Sequence, residues 1–340
     1  YGNPWANADP EDQFRPPDDL SLFGDYVETI AQQYGDRIQK YEIWNEPNAG
    51  VAFWKPQEDP VVYGELLVEA AHRIHAADPD ALVSFAGVFL PKLILNTGGL
   101  DFIREVHTAV PDLASHIDAL AFHPYRYPFS APELETDTQD SLLTTTCAVK
   151  DIAAELGDES LRLWMTEMGW HTAPDSIAAG VSESEQAAYL VRSTLIALSL
   201  GVEVYSWYTF QDSGNDPENQ ENMFGLYNWD EDPESGPEPT PKLAAKAFST
   251  LSLALAGQHH IQDLSIDLDF DPQTWAYKLT GGPQTVTAVW STGTESSLLL
   301  PGQGTAEVLS TDGSIETIRS GSGAFEVPAG PSPVFLVQEE

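Results

Sequence analysis

Apolar positions in this chain of 340 residues follow two spacings in turn. Short runs rich in β-branched and aromatic residues have the composition of buried strands. They cover Tyr41-Glu42-Ile43-Trp44, Ala81-Leu82-Val83-Ser84-Phe85-Ala86-Gly87, Ala119-Leu120-Ala121-Phe122-His123-Pro124-Tyr125, Leu161-Arg162-Leu163-Trp164-Met165 and Val202-Glu203-Val204-Tyr205-Ser206-Trp207-Tyr208. Between these runs the apolar period lengthens to that of a helix. Leu22, Phe23, Tyr26, Val27, Ile30 and Ala31 predict a helix over residues 20–34. Tyr63, Leu66, Leu67, Ala70, Ala71 and Ile74 predict one over 60–77, opened by Pro60. Further helices are expected over 100–110, 142–156 and 242–255. Ser182 and Glu185 form a capping box ahead of a helix over 186–200, which Gly201 stops.

Strands alternating with helices in this way predict a parallel sheet with helical crossovers. Five strands are read, ending near Glu46, Gly87, Tyr125, Glu167 and Tyr208. After Gly257 the pattern changes. Short strands at Ile261-Gln262-Asp263-Leu264-Ser265-Ile266, Trp275-Ala276-Tyr277-Lys278-Leu279, Val286-Thr287-Ala288-Val289-Trp290, Ser297-Leu298-Leu299-Leu300, Ala306-Glu307-Val308-Leu309 and Val334-Phe335-Leu336-Val337 are separated by turns such as Gly281-Gly282-Pro283 and Asp312-Gly313. This predicts an antiparallel β-sandwich over 258–340, behind an α/β portion over 1–257.

Two of the predicted strands end on a glutamate. Pro47 lacks the N–H that would continue the ladder, so Asn45 and Glu46 are presented side by side at a strand's C-terminal end. Taken alone, Asn-Glu-Pro is also what an ordinary strand end carries. Glu167 changes the picture, because it stands in a run of bulky apolar residues where an acid is seldom buried without a partner or a task. Two strand-end glutamates flanked by tryptophans suit retaining glycoside hydrolysis. One carboxyl protonates the leaving oxygen and the other attacks the anomeric carbon, from about 5–5.5 Å apart.

Trp44-Asn45-Glu46-Pro47 and Thr166-Glu167-Met168-Gly169-Trp170 resemble the fourth- and seventh-strand signatures of the clan A (β/α)8 glycoside hydrolases. The family 39 type is most similar, with family 5 next, over residues 1–257. The resemblance implies a TIM barrel with Glu46 as general acid/base and Glu167 as nucleophile. It implies Asn45 as donor to a sugar 2-hydroxyl and Trp207 as the floor under the reacting sugar. His123-Pro124-Tyr125 is similar to a sixth-strand His-x-Tyr element of related families. A phenol at Tyr125 is placed to donate to Glu167, while His123 reads equally as a packed histidine with one satisfied nitrogen. Trp54, Trp170, His171 and Trp229 fall on predicted loops at the same end, as outer subsites or as plain packing. The strand count fits strands four to eight of the barrel. Strands one to three are not read, beyond a tail of the third at Tyr1 before the turn Gly2-Asn3-Pro4-Trp5. The family also draws an arginine or aromatic residue from its first two strands. The expected function is therefore a retaining glycosidase on a neutral glycan, or a carbohydrate-binding, inactive fragment of one. A missing N-terminal barrel segment is the expected protein partner.

Composition narrows the setting. Apolar residues make up 42%, enough for a substantial core, and no run of about 18 apolar residues suggests a membrane span. Fifty-three acids against 15 bases give a net charge of −38, which excludes a nucleic-acid partner on electrostatic grounds. The acids are spread through loops and helices, as at Asp9-Pro10-Glu11-Asp12, Asp18-Asp19 and Asp230-Glu231-Asp232. Spread acids point to a halophilic source rather than a cationic ligand. The expected location is extracellular, though no targeting segment is read. Cys147 is the single cysteine and is expected to be a buried small residue of the 142–156 helix. No cofactor is expected and no metal: Asp212-Ser213-Gly214-Asn215-Asp216 resembles the start of a calcium loop, but Met223 stands where its closing glutamate belongs.

The charge makes a testable statement. Repulsion among the acids is screened as the Debye length falls from about 10 Å at 0.1 M salt to about 3 Å at 1 M. The urea unfolding midpoint is expected to rise across that range. A flat or falling midpoint would remove the halophilic reading.

Overall fold

The computed structural model describes residues 4–7, 9, 12–50, 52–92, 97–230, 239–265 and 271–339. The strand tail expected at Tyr1 and its Gly2-Asn3 turn lie outside them, as do Pro10, Glu11, Glu231, Asp232 and Ile266. Two compact units are formed, one by residues 1–126, 143–168 and 201–206, the other by 127–142, 169–200 and 207–340.

The first unit is built on a parallel sheet. Its strands are β1 (Lys40–Glu42), β2 (Leu82–Ser84), β3 (Val88–Phe89), β4 (Ala119–His123), β5 (Arg162–Met168) and β6 (Val202–Trp207). Helices α1 (Ser21–Tyr34), α2 (Pro60–Ala77), α3 (Gly99–Ala109) and α4 (Leu142–Glu155) accompany them. The sheet order is β1-β2-β4-β5-β6, with β3 added against β4. The pairs β1/β2, β2/β4, β3/β4 and β4/β5 are parallel. The five expected strands are present; β1, β2, β4 and β6 end earlier than their apolar runs, because the backbone leaves regular geometry where it presents polar residues, whereas β5 continues through Glu167 to Met168. Helix α2 shows the local logic. Asp59 caps it by accepting from the N–H groups of Val61 and Val62, and the six apolar residues predicted for its inner face are buried.

The path of the sheet does not close, and β1 and β6 are its edges among the described residues. An eight-stranded barrel closes on itself; this sheet is the parallel half of one. Ala119 and Ala121 of β4 leave room for the indole of Trp164 on β5, and Leu82 and Val204 pack around it. Lys40 of β1 reaches Glu203 of β6 at 2.8 Å, and Arg162 donates to the same carboxylate at 2.9 Å. Side chains rather than backbone thus link the two edge strands. These ions are partly exposed and each pair is worth at most about 1 kcal/mol.

The second unit contains α5 (Glu183–Ser199), α6 (Leu243–Leu255) and the antiparallel strands. Ser182 accepts from the Glu185 N–H, and the Glu185 carboxylate accepts from the Ser182 N–H, as the capping box requires. The strands are β7 (His260–Asp263), β8 (Thr274–Thr280), β9 (Gln284–Ser291), β10 (Ser296–Pro301), β11 (Thr305–Ser310), β12 (Ile315–Arg319), β13 (Ala324–Ala329) and β14 (Val334–Glu339). They begin just past the division read at residue 257. One sheet runs β12-β11-β14-β9-β8-β7 and the other is β10-β13. Between them lies a core that includes Ala276, Val289, Leu300, Val308, Phe325, Val327 and Leu336. Strands β12 and β13 were not anticipated. β12 is largely exposed and so lacks an apolar signature. β13 contains Pro328, which its two-stranded sheet tolerates at an edge. The buried guanidinium of Arg192 on α5 pairs with Glu133, which also accepts from the Trp290 indole N–H at 2.8 Å. Arg192 donates as well to the Pro331 carbonyl at 3.3 Å.

One hydroxyl fixes the ends of two strands. Tyr63 on α2 is fully buried, donates to the Ile43 carbonyl at 3.1 Å and accepts from the Ala86 N–H at 2.7 Å. Tyr63→Phe leaves both backbone groups buried without that partner. Urea unfolding is expected to show a loss of about 1–3 kcal/mol, and an unchanged midpoint would show that the clamp contributes nothing.

Candidate active site

β1 ends at Glu42, yet its pairing with the segment that follows β2 continues. Ile43 N–H donates to the Ser84 carbonyl, Asn45 bridges Gly87, and Glu46 N–H donates to the Gly87 carbonyl at 3.0 Å. The continuation places Trp44 (φ 75°) and Glu46 (φ 44°) in the left-handed region, at a cost on the order of 1–3 kcal/mol each. Packing on both sides holds them there. The Trp44 indole donates to the Phe53 carbonyl at 2.8 Å, and its ring meets Trp54 edge-on at 5.2 Å. Asn48 is fully buried, donates to the carbonyls of Phe89 and Thr97, and accepts from the Phe89 N–H.

The partners of Glu46 come from β4 and β5. Side chains two residues apart share a face of a strand, so His123 follows Ala119 and Ala121, and Thr166 follows Trp164. His123 Nδ1 lies 2.8 Å from Glu46 Oε1, and Nε2 lies 3.1 Å from Thr166 Oγ1. Tyr125 donates its phenol to Glu167 Oε2 at 3.0 Å. One carboxylate oxygen from each of Glu46 and Glu167 and one His123 ring nitrogen all lie within 4.8 Å of one another. The structure therefore brings Glu46, Glu167, His123 and Tyr125 together. Asn45 is half-buried beside them, and its side chain makes no hydrogen bond among the described residues.

A third acid, not anticipated from sequence, completes the cluster. Glu42 Oε1 accepts from the Gly87 N–H at 2.8 Å. In Lys40-Tyr41-Glu42 it reads as an ordinary charged residue at the start of a strand. The signal was its spacing, four residues before Glu46 on a strand that packs on another. Burial pushes Glu42 above the ordinary carboxylate value, against the pull of His123 and its hydrogen bonds. Burial raises Glu167 too, and the charge of Glu46 adds to the effect, while His123 and the Tyr125 phenol oppose it. Burial alone would lower His123, but the hydrogen bond to Glu46 and the charges of Glu167, Glu46 and Glu42 leave it raised.

Trp54 is 1% exposed and packs edge-on against Trp44 and Tyr63, so it is core rather than an outer subsite. Trp170 is fully buried in the second unit, donates to the Ser130 carbonyl at 2.9 Å and stacks on Trp207 at 6.1 Å. His171 is buried between the Phe129 and Phe224 rings, with its pKa lowered by burial to about 4. Neither residue is open to a ligand; distant rings, invisible to local pattern, cover both. Trp207 is half-buried and donates to the Phe224 carbonyl. Trp229 is exposed and lines a cavity of about 730 Å³ in the second unit, with Asn215, Asn228, Asp212 and Lys242. Asp212 is paired with Lys242 at 2.8 Å and accepts from the Gly225 N–H, which commits it away from a cation. Cys147 is half-buried in α4, not fully buried as expected. Glu46, His123 and Glu167 are metal-ligating types, but an ion shared by them would have to displace the Glu46–His123 bond, since Thr166 holds the other ring nitrogen.

No protein-family model matches the chain, and no curated protein matches it. Solved structures do. A family 39 glycoside hydrolase from the gut symbiont Bacteroides cellulosilyticus is 21% identical with a TM-score of 0.70, over 93% of this chain and 61% of that one. A family 39 β-xylosidase from Caulobacter crescentus is 17% identical with a TM-score of 0.64, over 96% and 74%. A glucosidase from Croceicoccus marinus is 16% identical with a TM-score of 0.63, over 96% and 76%. The chain spans about 61% of the length of the Bacteroides protein. The fold is that of the family 39 glycoside hydrolases: TIM-barrel strands and helices followed by a β-sandwich.

Gly87 is where the cluster is tightest. A Cβ there would overlap the His123 ring and stand 2.7 Å from Glu42 Oε1. Gly87→Ala is expected to destabilise the protein by about 1–3 kcal/mol through overpacking, measured by urea unfolding. An unchanged midpoint would show that imidazole and acid are not held this close.

Proposed function

We propose that this site hydrolyses O-glycosidic bonds of a neutral oligo- or polysaccharide by double displacement. Glu46 protonates the departing oxygen, and Glu167 attacks the anomeric carbon to form a glycosyl ester. Glu46 then removes a proton from the water that releases the sugar. The observation that carries this reading is the approach of the Glu46 and Glu167 carboxylate oxygens within 4.8 Å. Retaining enzymes hold the two groups about 5–5.5 Å apart, whereas inverting enzymes need about 6.5–9.5 Å to seat a water. The hydrogen bond from Tyr125 supports Glu167 as the fixed, ionised nucleophile, and the bond to His123 supports Glu46 as the group that exchanges protons. Asn45 is proposed to donate to the sugar 2-hydroxyl. Three acids facing one imidazole would repel an anionic sugar. The β-xylosidase and glucosidase among the similar structures make neutral xylosides and glucosides the first substrates to try.

The open path of the sheet favours a second reading, in which the chain binds glycans without turnover unless a further barrel segment completes it. Turnover by the chain alone separates the two.

Glu167→Gln is expected to abolish both turnover and covalent labelling by a 2-fluoro glycoside. Glu46→Ala is expected to slow unactivated substrates by about 10²–10⁴-fold and to spare those whose leaving groups depart without a proton. Equal losses on both substrate types would reject Glu46 as the acid.

The pH profile gives a further check. Glu167 must be ionised to attack, and its raised pKa moves the acid-side fall of kcat/KM above the ordinary glutamate value of 4.5. A fall centred below that value would remove Glu167 as the titrating nucleophile.

A further inference from the structure

The chemistry proposed above makes no use of the cavity in the second unit, yet the walls of that cavity have a definite chemical character. Its volume of about 730 Å³ falls within the range of about 300–1,000 Å³ that ligand sites occupy. Trp229 forms one wall. Its indole is 43% exposed, stacks on no other ring and makes no hydrogen bond among the described residues. A large apolar face and an N–H donor are therefore both open at one residue. The residue before it is held still. Asn228 donates to the Thr240 carbonyl from its backbone N–H at 2.9 Å and from Nδ2 at 3.2 Å. Its own carbonyl accepts from Gln211 at 3.3 Å. The Asn228 Oδ1, an acceptor, takes no hydrogen bond among the described residues.

Lys242, the one cation among the lining residues, is already committed. Its ammonium has three protons. Asp212 at 2.8 Å, the Thr172 hydroxyl at 3.2 Å and the Met223 carbonyl at 3.3 Å accept them. An anionic ligand thus finds no counter-charge in the walls, and the exposed Glu183 carboxylate opposes one. A cation fares little better, because Lys242 neutralises Asp212 and leaves Glu183 alone to attract it. The walls suit an uncharged ligand with a flat apolar face and hydroxyls around its rim.

We infer that this cavity is a binding site for a neutral pyranose unit of a β-linked xylo- or gluco-oligosaccharide, stacked on Trp229 and hydrogen-bonded to Asn228 and Glu183. In such a sugar the ring hydroxyls are equatorial and the axial C–H bonds point to the two faces. One face can then lie on the indole while rim hydroxyls donate to Asn228 Oδ1 and to the Glu183 carboxylate. The choice of sugar rests on the glycosidase reading; the presence of a glycan site does not.

The test uses the full chain carrying Glu167→Gln, so that the probes, xylotetraose and cellotetraose, stay intact. Nitrogen-15 spectra show the indole N–H groups, and that of Trp229 is assigned by its loss in Trp229→Phe. The Trp229 signal is expected to shift and saturate as either probe is added. Asn228→Ala, followed at the same signal, is expected to weaken binding about two- to tenfold. In calorimetry Trp229→Ala is expected to weaken binding at this site at least about tenfold, and Trp229→Phe, which keeps an aromatic face, by less. A Trp229 signal unmoved at millimolar concentrations of both probes would overturn the inference, as would a Trp229→Ala variant that binds both as its parent does. Binding is read without turnover. A chain that shifts Trp229 but never hydrolyses a glycoside rejects the glycosidase reading and keeps the cavity. A chain that hydrolyses glycosides with Trp229 unmoved does the reverse.

Discussion

Three carboxyl groups, Glu42, Glu46 and Glu167, share a poorly hydrated space with one basic side chain. Like charges at such distances repel and resist burial, so the contacts of His123 make the arrangement tenable. The imidazole reaches them because Ala119 and Ala121 set the face on which His123 lies and because Gly87 has no side chain to obstruct it. The Tyr63 hydroxyl, the Asn48 clamp and the Trp44 packing can each be understood as holding the chain around that imidazole.

The acids differ in how they are mounted. Glu167 stands on regular strand, within β5, where ladder bonds fix the backbone on its own account. Glu46 stands on a left-handed residue that relaxes if its surroundings loosen. A nucleophile must aim at one atom from one direction, which a strand provides. An acid/base must serve two partners in turn, the departing oxygen and the arriving water, and a residue held by side-chain contacts can adjust between them.

Much of this was legible in the sequence, and what was missed has a common cause. The parallel strands, their helices and the paired glutamates follow from short-range pattern: apolar period, proline as a stop, acids where acids are rare. Glu42 and Thr166 were missed because a charged residue opening a strand and a β-branched residue inside one are ordinary locally. Only the register of three strands makes them neighbours. Trp54 and Trp170 failed for the mirror reason: a tryptophan after a strand end reads as a sugar platform until Tyr63 or Trp207, far along the chain, is found covering it. β13 was hidden by Pro328, which argues against a central strand but not against a place in a two-stranded sheet.

The Arg192–Glu133 pair bears on how such a protein is dissected and how it evolves. Its partners include the Trp290 indole and the Pro331 carbonyl, both contributed by the β-sandwich to groups on and beside α5. Removing the sandwich would leave a nearly buried ion pair short of two hydrogen bonds and open its apolar neighbours to water, a cost of several kcal/mol in groups of this kind. The C-terminal strands are thus not a detachable accessory. Deletion mapping across them would report lost folding as though it were lost chemistry. Recombination that exchanged this sandwich for another would have to carry the tryptophan and that carbonyl along, which ties the two stretches of sequence to a shared history.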